Sequence, residues 1–161
     1  LSFNRLFCYR RFTIYDESGQ AIIQMLATFA LMDRDSRKVH NVEAEMVAPY
    51  QSEFSKKIIR GPKYLDLENP SSKDYHVRFY DLDMNGHVNN SKYLDWIFEV
   101  MGSEFLMEHI PKKINLKYVK EVKPGGMISS SYSLDGLTSN HQVVSDGAIN
   151  AKAIIEWTKK G

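Results

Sequence analysis

A short polar segment in the middle of the chain holds the residue types that acid–base chemistry requires. Asp83, Asn85 and His87 alternate along it, so their side chains can point to one side of an extended stretch. A carboxylate can orient or deprotonate a partner, an amide can hold a water or a carbonyl, and an imidazole can move a proton near neutral pH. Together they could hydrolyse an acyl bond. The structural alternative stays open, because Asp and Asn also satisfy backbone groups in loops and a lone His more often has a structural role.

The elements on either side of this segment are predicted from their apolar patterns. Residues 75–80 alternate between apolar and polar, which predicts a strand that leads into the loop. A mostly buried helix should follow, with Asn89 or Asn90 as its N-cap. It is expected to weaken at Gly102 and to end before Pro111. Its apolar face consists of residues at helical spacing: Leu94, Ile97, Phe98, Met101 and Phe105. Backbone N–H groups of its first turn are expected to suit an oxyanion.

Glu121 is a second candidate because of its register. Ile114, Leu116 and Tyr118 share a face, but the apolar pattern then shifts by one residue to Val119, as a β-bulge would cause. After such a bulge Val119 and Glu121 should face the helix side of the sheet, which would bring this carboxylate over the polar loop. The alternative is that Glu121 belongs to an exposed charged run together with the lysines around it.

The rest of the chain is predicted to be mostly antiparallel sheet. Residues 6–15 and 21–32 are rich in aromatic and β-branched residues, and turn chemistry at residues 16–19 joins them into a hairpin. Both faces of the second strand are apolar, so both need cover. A short helix is predicted near residues 51–57. Turn signals separate four further strands: 113–122, 127–135, 140–145 and 148–158.

A weak internal repeat bears on the domain organisation. Residues 27–32 resemble residues 151–157 at the end of the last strand. We therefore expect residues 1–48 to be the closing strands of an incomplete first unit, residues 49–72 a linker, and residues 73–161 a complete α+β unit whose sheet wraps the helix. Because a hairpin with two apolar faces is marginal alone, a homo-oligomer, most simply a dimer, is also expected.

Composition excludes several classes of function. The chain has 161 residues, with 21 basic and 20 acidic side chains and a net charge of +1, so no overall field attracts nucleic acid or a membrane. Cys8 is the only cysteine, which excludes an internal disulfide and a cysteine-rich zinc site and fits a reducing compartment. The histidines lack metal-ligand spacing, and no apolar run is long enough to span a bilayer. We expect a cytoplasmic protein with no metal, cofactor, nucleic-acid partner or membrane partner.

Residues 81–96, DLDMNGHVNNSKYLDW, resemble the signature of the acyl-acyl carrier protein thioesterases of bacteria and plants. The resemblance continues into LKYVKE at residues 116–121 and includes ALMD at 30–33 and SRK at 36–38. It implies a double hot-dog fold, in which each unit is a long helix wrapped by an antiparallel sheet. One complete hot-dog unit would here be preceded by the closing strands of a truncated first one. It also implies hydrolysis of the thioester between a fatty acyl chain and the phosphopantetheine arm of acyl carrier protein.

The same resemblance implies a role for each candidate residue. The residues that match the family's catalytic network are Asp83, Asn85, His87 and Glu121. Glu121 is expected to be the base that activates water, while Asn85 and His87 position the water and the carbonyl. Asp83 is expected to orient the network or to assist proton transfer. The family has been described with a cysteine just after the glutamate, and Val122 at that position excludes a cysteine nucleophile there.

Substrate binding is expected at Asn89 and Asn90, beside a slot for the acyl chain, although the resemblance assigns much of that slot to the first unit. Two alternatives remain open: an acyl-CoA thioesterase of the general hot-dog type, and a non-catalytic acyl-binding hot-dog module. The second is disfavoured because the polar loop is intact. Basic residues such as Lys120 and Lys123 are either a solvated face or a receiving surface for an acidic carrier protein.

Overall fold

The computed structural model describes residues 1–33, 35–36 and 38–161. The chain divides into two compact units, Leu1–Arg60 and Gly61–Gly161, which are treated separately below. Arg37, in the middle of the SRK segment that contributed to the resemblance, lies outside the described residues.

Unit 1 is built around the predicted hairpin. Its strands are β1 (Ser2–Phe3), β2 (Phe7–Tyr15), β3 (Ala21–Met32), β4 (Val39–His40) and β5 (Glu53–Phe54). They form a sheet in the order β4-β3-β2-β1-β5, in which only the β1–β5 pair is parallel among the pairs that the structure describes. The carboxylate of Asp16 closes the β2–β3 turn by accepting the amides of Ser18 and Gln20, both at 2.9 Å. The hairpin prediction is confirmed.

The hairpin presents apolar side chains on both faces. Ile23 and Met25 lie on one face of β3 and Ile22 and Leu26 on the other, and all four are exposed. A small core in this unit buries Phe3, Val42 and Val47, and Cys8 of β2 and Leu31 of β3 pack against it. Apart from Cys8, Tyr9 and Leu31, the hairpin therefore contributes little buried apolar surface to the stability of unit 1.

The prediction of a short helix near residues 51–57 is wrong. A helix, α1, occupies Ala44–Val47 instead and continues as a 3-10 turn over Ala48–Tyr50. Pro49 suits the start of that turn because its ring fixes φ and it needs no amide partner. Gln51 then adopts a left-handed conformation with φ 49°, which ends the turn and leads the chain into β5 beside β1.

Unit 2 is one antiparallel sheet with a helix packed against it. Its elements are β6 (Ser71–His76), α2 (Asn90–Glu99), α3 (Ser103–Glu108), β7 (His109–Tyr118), β8 (Met127–Asp135), β9 (Thr138–Ser145) and β10 (Ala148–Lys159). The strand order is β6-β8-β9-β10-β7, and every described pair is antiparallel. The predicted arrangement, one helix against an antiparallel sheet, is present.

The core of unit 2 lies between α2 and the sheet. Ile97 of α2 and Val143 and Ile155 of the sheet are fully buried. Other buried members of this core are Val77, Val88, Tyr93, Trp96, Met101, Val122, Ile128, Ala151, Ala153 and Trp157. Burial of each large apolar side chain contributes about 1.5–3 kcal/mol, so α2 is stabilised mainly by this face.

One predicted strand boundary differs from the structure. The strand expected at residues 75–80 ends at His76, because Asp81 closes a turn behind it by accepting the Arg78 amide at 2.8 Å and pairing with the Arg78 guanidinium at 3.1 Å. Phe79 and Tyr80 are therefore exposed. The predicted weakening of the helix at Gly102 is confirmed: α2 ends at Glu99, Gly102 has a φ of +83°, which favours glycine, and α3 follows it and ends at Glu108.

Strand β7 starts earlier than predicted, at His109, and includes Pro111. Proline is tolerated there because β7 is at the edge of the sheet and its missing N–H leaves no central ladder bond unmade.

Two buried polar side chains, Ser139 and His141, lie on the core side of β9. His141 is 2% exposed, and its Nε2 lies 2.6 Å from Ser139 Oγ. The same hydroxyl accepts the indole N–H of Trp157 at 2.7 Å. Burial lowers the pKa of His141 to about 4, so the imidazole is neutral at neutral pH.

Stability should therefore fall on acidification. Between the ordinary His pKa of 6.5 and about 4, the unfolded chain binds a proton at His141 that the folded chain does not. The free energy of unfolding then decreases by up to about 1.4 kcal/mol for each pH unit lost, which urea unfolding across this range would measure. His141→Gln should flatten this dependence, and His76→Gln, at an exposed position of β6, should preserve it. Equal slopes in all three proteins would contradict the assignment.

Candidate active site

The polar segment forms a tight turn between two bridged residues. Leu82 and Val88 pair across its base, and the Asp83 amide donates to the His87 carbonyl at 2.7 Å. At its tip Gly86 has φ +75° and donates its amide to the Asp83 carbonyl at 3.0 Å. The turn therefore has a defined backbone, on which Asn85 and His87 are exposed.

The Asp83 carboxylate holds this turn together. Its Oδ1 accepts the amides of Asn85 at 2.8 Å and His87 at 3.1 Å. The hydrogen bond from the His87 amide is the main cause that holds the pKa of Asp83 below its ordinary value. The carboxylate is therefore charged at neutral pH, and its contribution to the turn is lost only as the pH falls through that lowered pKa. This geometry favours the orienting role among the two expected for Asp83.

His87 and Glu121 meet although they are distant in the sequence. His87 Nε2 lies 3.9 Å from Glu121 Oε2, which is an ion-pair distance when the imidazole is protonated. The two side chains are 48% and 52% exposed, so solvent and a substrate can reach both. Asn85 is exposed on the same turn. The structure thus brings a carboxylate and an imidazole together, with the Asn85 carboxamide on the same turn as His87.

The predicted bulge brings Glu121 to the turn. Strand β7 ends at Tyr118, and the next two amides, of Val119 and Lys120, both donate to the carbonyl of Asn150 on β10, at 2.8 and 3.2 Å. Two residues opposite one is the pattern of a β-bulge. The expectation that Val119 faces inward is wrong, because its side chain is 52% exposed.

The start of α2 offers fewer amides than predicted. Asn89 is the N-cap, and its side chain accepts the Ser91 amide at 3.0 Å. The Lys92 amide donates to the Asn89 carbonyl at 2.9 Å, and the Asn89 amide to Asp81 at 2.8 Å. Because these groups are already bonded, the first turn is a weaker oxyanion site than the sequence suggested. The substrate contacts expected of Asn89 and of Asn90, whose carbonyl accepts the Tyr118 hydroxyl, remain predictions.

Two residues at the site were missed in the sequence. Tyr93 is 3% exposed and accepts the Val122 amide at 3.1 Å. Asn150 is 1% exposed and donates to the carbonyls of Lys120 and Glu121. The shift of apolar register beside Val119 was the one signal that a backbone irregularity would need a polar partner there.

Neither of two clefts in the described part of unit 2 is the acyl slot expected beside the turn. One, of about 610 Å³, lies between β6 and α2 and is lined by Tyr75, Lys92, Trp96 and Glu99 among others. The other, of about 240 Å³, lies near His109. Neither includes a residue of the predicted catalytic network. Within the described ranges, no group of three His, Cys, Asp or Glu side chains could hold a metal ion. None of the described helices is both long enough and apolar enough to cross a membrane.

A helix packed against an antiparallel sheet, with acid, amide and imidazole on the turn before the helix, defines an α+β protein of the hot-dog class. This confirms the predicted fold class. The acyl-ACP thioesterase C-terminal domain matches residues 64–159, and the acyl-ACP thioesterase N-terminal domain matches residues 1–50. The chain belongs to the acyl-ACP thioesterase family.

Individual relatives agree with this assignment. A crystal structure of a putative oleoyl thioesterase from Lactobacillus plantarum is 32% identical with a TM-score of 0.91, covering 99% of this chain and 66% of that chain. The chain is 25% identical to a dodecanoyl-[acyl-carrier-protein] hydrolase of Umbellularia californica, over 94% of this chain and 44% of the relative. It is 28% identical to oleoyl-acyl carrier protein thioesterase 2 of Arabidopsis thaliana, over 70% of this chain and 34% of the relative. The chain spans less than half the length of these two curated relatives.

Proposed function

We propose that this protein hydrolyses the thioester that joins a fatty acyl chain to acyl carrier protein and releases the free fatty acid. The observation that carries the proposal is the distance of 3.9 Å between Glu121 Oε2 and His87 Nε2. His87 lies on a turn whose backbone is held by hydrogen bonds to Asp83. Membership of the acyl-ACP thioesterase family supports this reaction class.

In the proposed reaction, Glu121 is the general base. It takes a proton from a water molecule as the water oxygen attacks the thioester carbonyl carbon. Asn85 and His87 hold the water and the carbonyl oxygen in line for this attack, which removes much of its entropic cost. The tetrahedral intermediate then expels the sulfur, which takes up the proton and leaves as the carrier thiol. Asp83 keeps Asn85 and His87 in place through the turn.

The proposed partner is acyl carrier protein bearing an acyl-phosphopantetheine arm. Lys120 and Lys123 lie close to Glu121 in the chain, and both are exposed. Lys123 Nζ is 3.7 Å from Asp146 Oδ2. Exposed positive charge beside the site would speed the encounter with an acidic carrier. We further propose that residues 1–48 are the closing strands of a first hot-dog unit. A homodimer, a cytoplasmic location and the absence of a cofactor remain predictions.

Carrier preference tests the proposal against its alternatives. The same acyl chain should be cleaved with a kcat/KM at least about tenfold higher on acyl carrier protein than on CoA, because charge complementarity raises encounter rates by 10- to 10³-fold. Added salt should reduce this preference, since exposed charges are screened. Equal kcat/KM on both carriers would favour an acyl-CoA thioesterase. Binding of the acyl carrier without any hydrolysis would favour a non-catalytic acyl-binding module.

A further inference from the structure

Glu121 lies outside the regular strands, so its position depends on what holds the segment after Tyr118. Strand β7 ends at Tyr118, and β8 does not begin until Met127. Ladder hydrogen bonds of the sheet therefore do not extend to the Glu121 backbone. A base that works at a defined distance from His87 needs other restraints.

Asn150 supplies restraints on one side of this segment. Its backbone carbonyl accepts the amides of Val119 and Lys120, and its side-chain Nδ2 donates to the carbonyls of Lys120 at 3.2 Å and Glu121 at 3.3 Å. One residue thus makes four hydrogen bonds to three consecutive residues. A carboxamide suits this task because a single nitrogen carries two donors.

The oxygen of the Asn150 side-chain amide differs from its nitrogen, which donates both hydrogen bonds. Asn150 Oδ1 is buried and has no hydrogen-bond partner among the described atoms. An unmade hydrogen bond at a buried oxygen costs folding free energy.

Tyr93 supplies a restraint on the opposite side. Its hydroxyl accepts the amide of Val122 at 3.1 Å, and its ring packs edge-on against Tyr118 with centroids 5.2 Å apart. Tyr118 in turn donates its hydroxyl to the Asn90 carbonyl at 2.9 Å. The start of α2 and the end of β7 are thereby connected around the Glu121 segment.

The two restraints act on one peptide bond. The carbonyl of Glu121 and the amide of Val122 belong to the same planar unit, and Asn150 binds the first while Tyr93 binds the second. We propose that this Asn150–Tyr93 clamp positions Glu121 for its encounter with His87, so that both are positioning residues for the proposed hydrolysis. The inference rests on the proposed function, because it assigns the clamp to the base of that reaction.

Release of the clamp should lower kcat more than it changes KM. Asn150→Asp keeps the size and loses both donors, and we expect a 10- to 100-fold lower kcat with KM within about threefold, since a misplacement of about 1 Å costs up to 10²-fold. Tyr93→Phe keeps the ring packing and removes only the acceptor, and we expect about a 3- to 10-fold lower kcat. Asn140→Asp on β9 and Tyr132→Phe on β8 are matched controls and should retain the parent kcat.

A double-mutant cycle distinguishes positioning from general damage. Each clamp variant is combined with Glu121→Gln, and kcat and KM are measured for an acyl-acyl carrier protein, with thermal unfolding as a check on folding. If the clamp acts through Glu121, it should cost less than about twofold in the Glu121→Gln background. If Asn150→Asp does not fold, Tyr93→Phe decides the question by the same cycle.

The outcomes separate the inference from the proposed function. Clamp variants with the parent kcat, or with the same loss in both backgrounds, would overturn the positioning role while a slow Glu121→Gln leaves the proposed function standing. A Glu121→Gln variant as fast as the parent would overturn both.

Discussion

Replacement of Glu121 with Gln should lower kcat for hydrolysis of an acyl-acyl carrier protein by about 10²- to 10⁴-fold. Gln keeps the size of the side chain and its reach toward His87, but it cannot accept the proton of the attacking water at neutral pH. Because the side chain is half exposed, folding should be little affected. Steady-state kinetics on one acyl chain length, with thermal unfolding of the same sample, would measure both effects.

A matched exposed carboxylate provides the control. Glu156 pairs with Lys113 at 2.9 Å on the sheet surface, and Glu156→Gln should retain the parent kcat. His87→Gln should fall within the range expected for Glu121→Gln, and the double variant should lose little more, because groups that act as a unit are not additive. A Glu121→Gln protein with unchanged kcat would refute the role of this residue as the base.

Replacement of Trp157 with Ala should lower the free energy of unfolding by about 3–5 kcal/mol. The indole is 3% exposed and packs edge-on against Phe98 and Phe105, with centroids 5.8 and 5.1 Å away. Its N–H also donates to Ser139, so truncation opens a cavity and removes a buried donor. Urea unfolding monitored by circular dichroism would measure the change.

An exposed aromatic side chain provides the comparison. Phe79 is 80% exposed, and Phe79→Ala should change the free energy of unfolding by no more than about 0.5 kcal/mol. A loss of less than about 1 kcal/mol for Trp157→Ala would show that the indole does not organise the core of unit 2.

Much of the candidate site could be predicted from sequence. The turn around Asp83 and His87 contains Asp, Asn and Gly in an order that favours a turn, and the N-cap is Asn89, one of the two residues that the sequence predicted for it. The sequence pattern could not predict which hydrogen-bond partner each polar group would have. Asp83 Oδ1 accepts two amides of the turn, and the Ser91 and Lys92 amides at the start of α2 are bonded to Asn89, because the backbone groups of tight turns are satisfied locally.

Fold predictions succeeded where the structure depends on residues adjacent in the chain. They failed where it depends on pairing with a distant segment. The hairpin of β2 and β3 and the strand β8 follow from alternation and turn residues. The helix expected at residues 51–57 is absent because Glu53–Phe54 pairs with β1. Weak helical propensity in a short segment does not outweigh pairing with a strand.

The sequence by itself determined the family, the polar turn and the apolar face of the helix that follows it, because each depends on residues adjacent in the chain. Only the tertiary structure decided that Glu121 meets His87, that Val119 is exposed and that Asn150 is buried beneath the bulge. These outcomes depend on the register between β7 and β10 and on the packing of α2 against the sheet. Register is set by pairing between distant segments, where a shift of one residue moves a side chain to the other face.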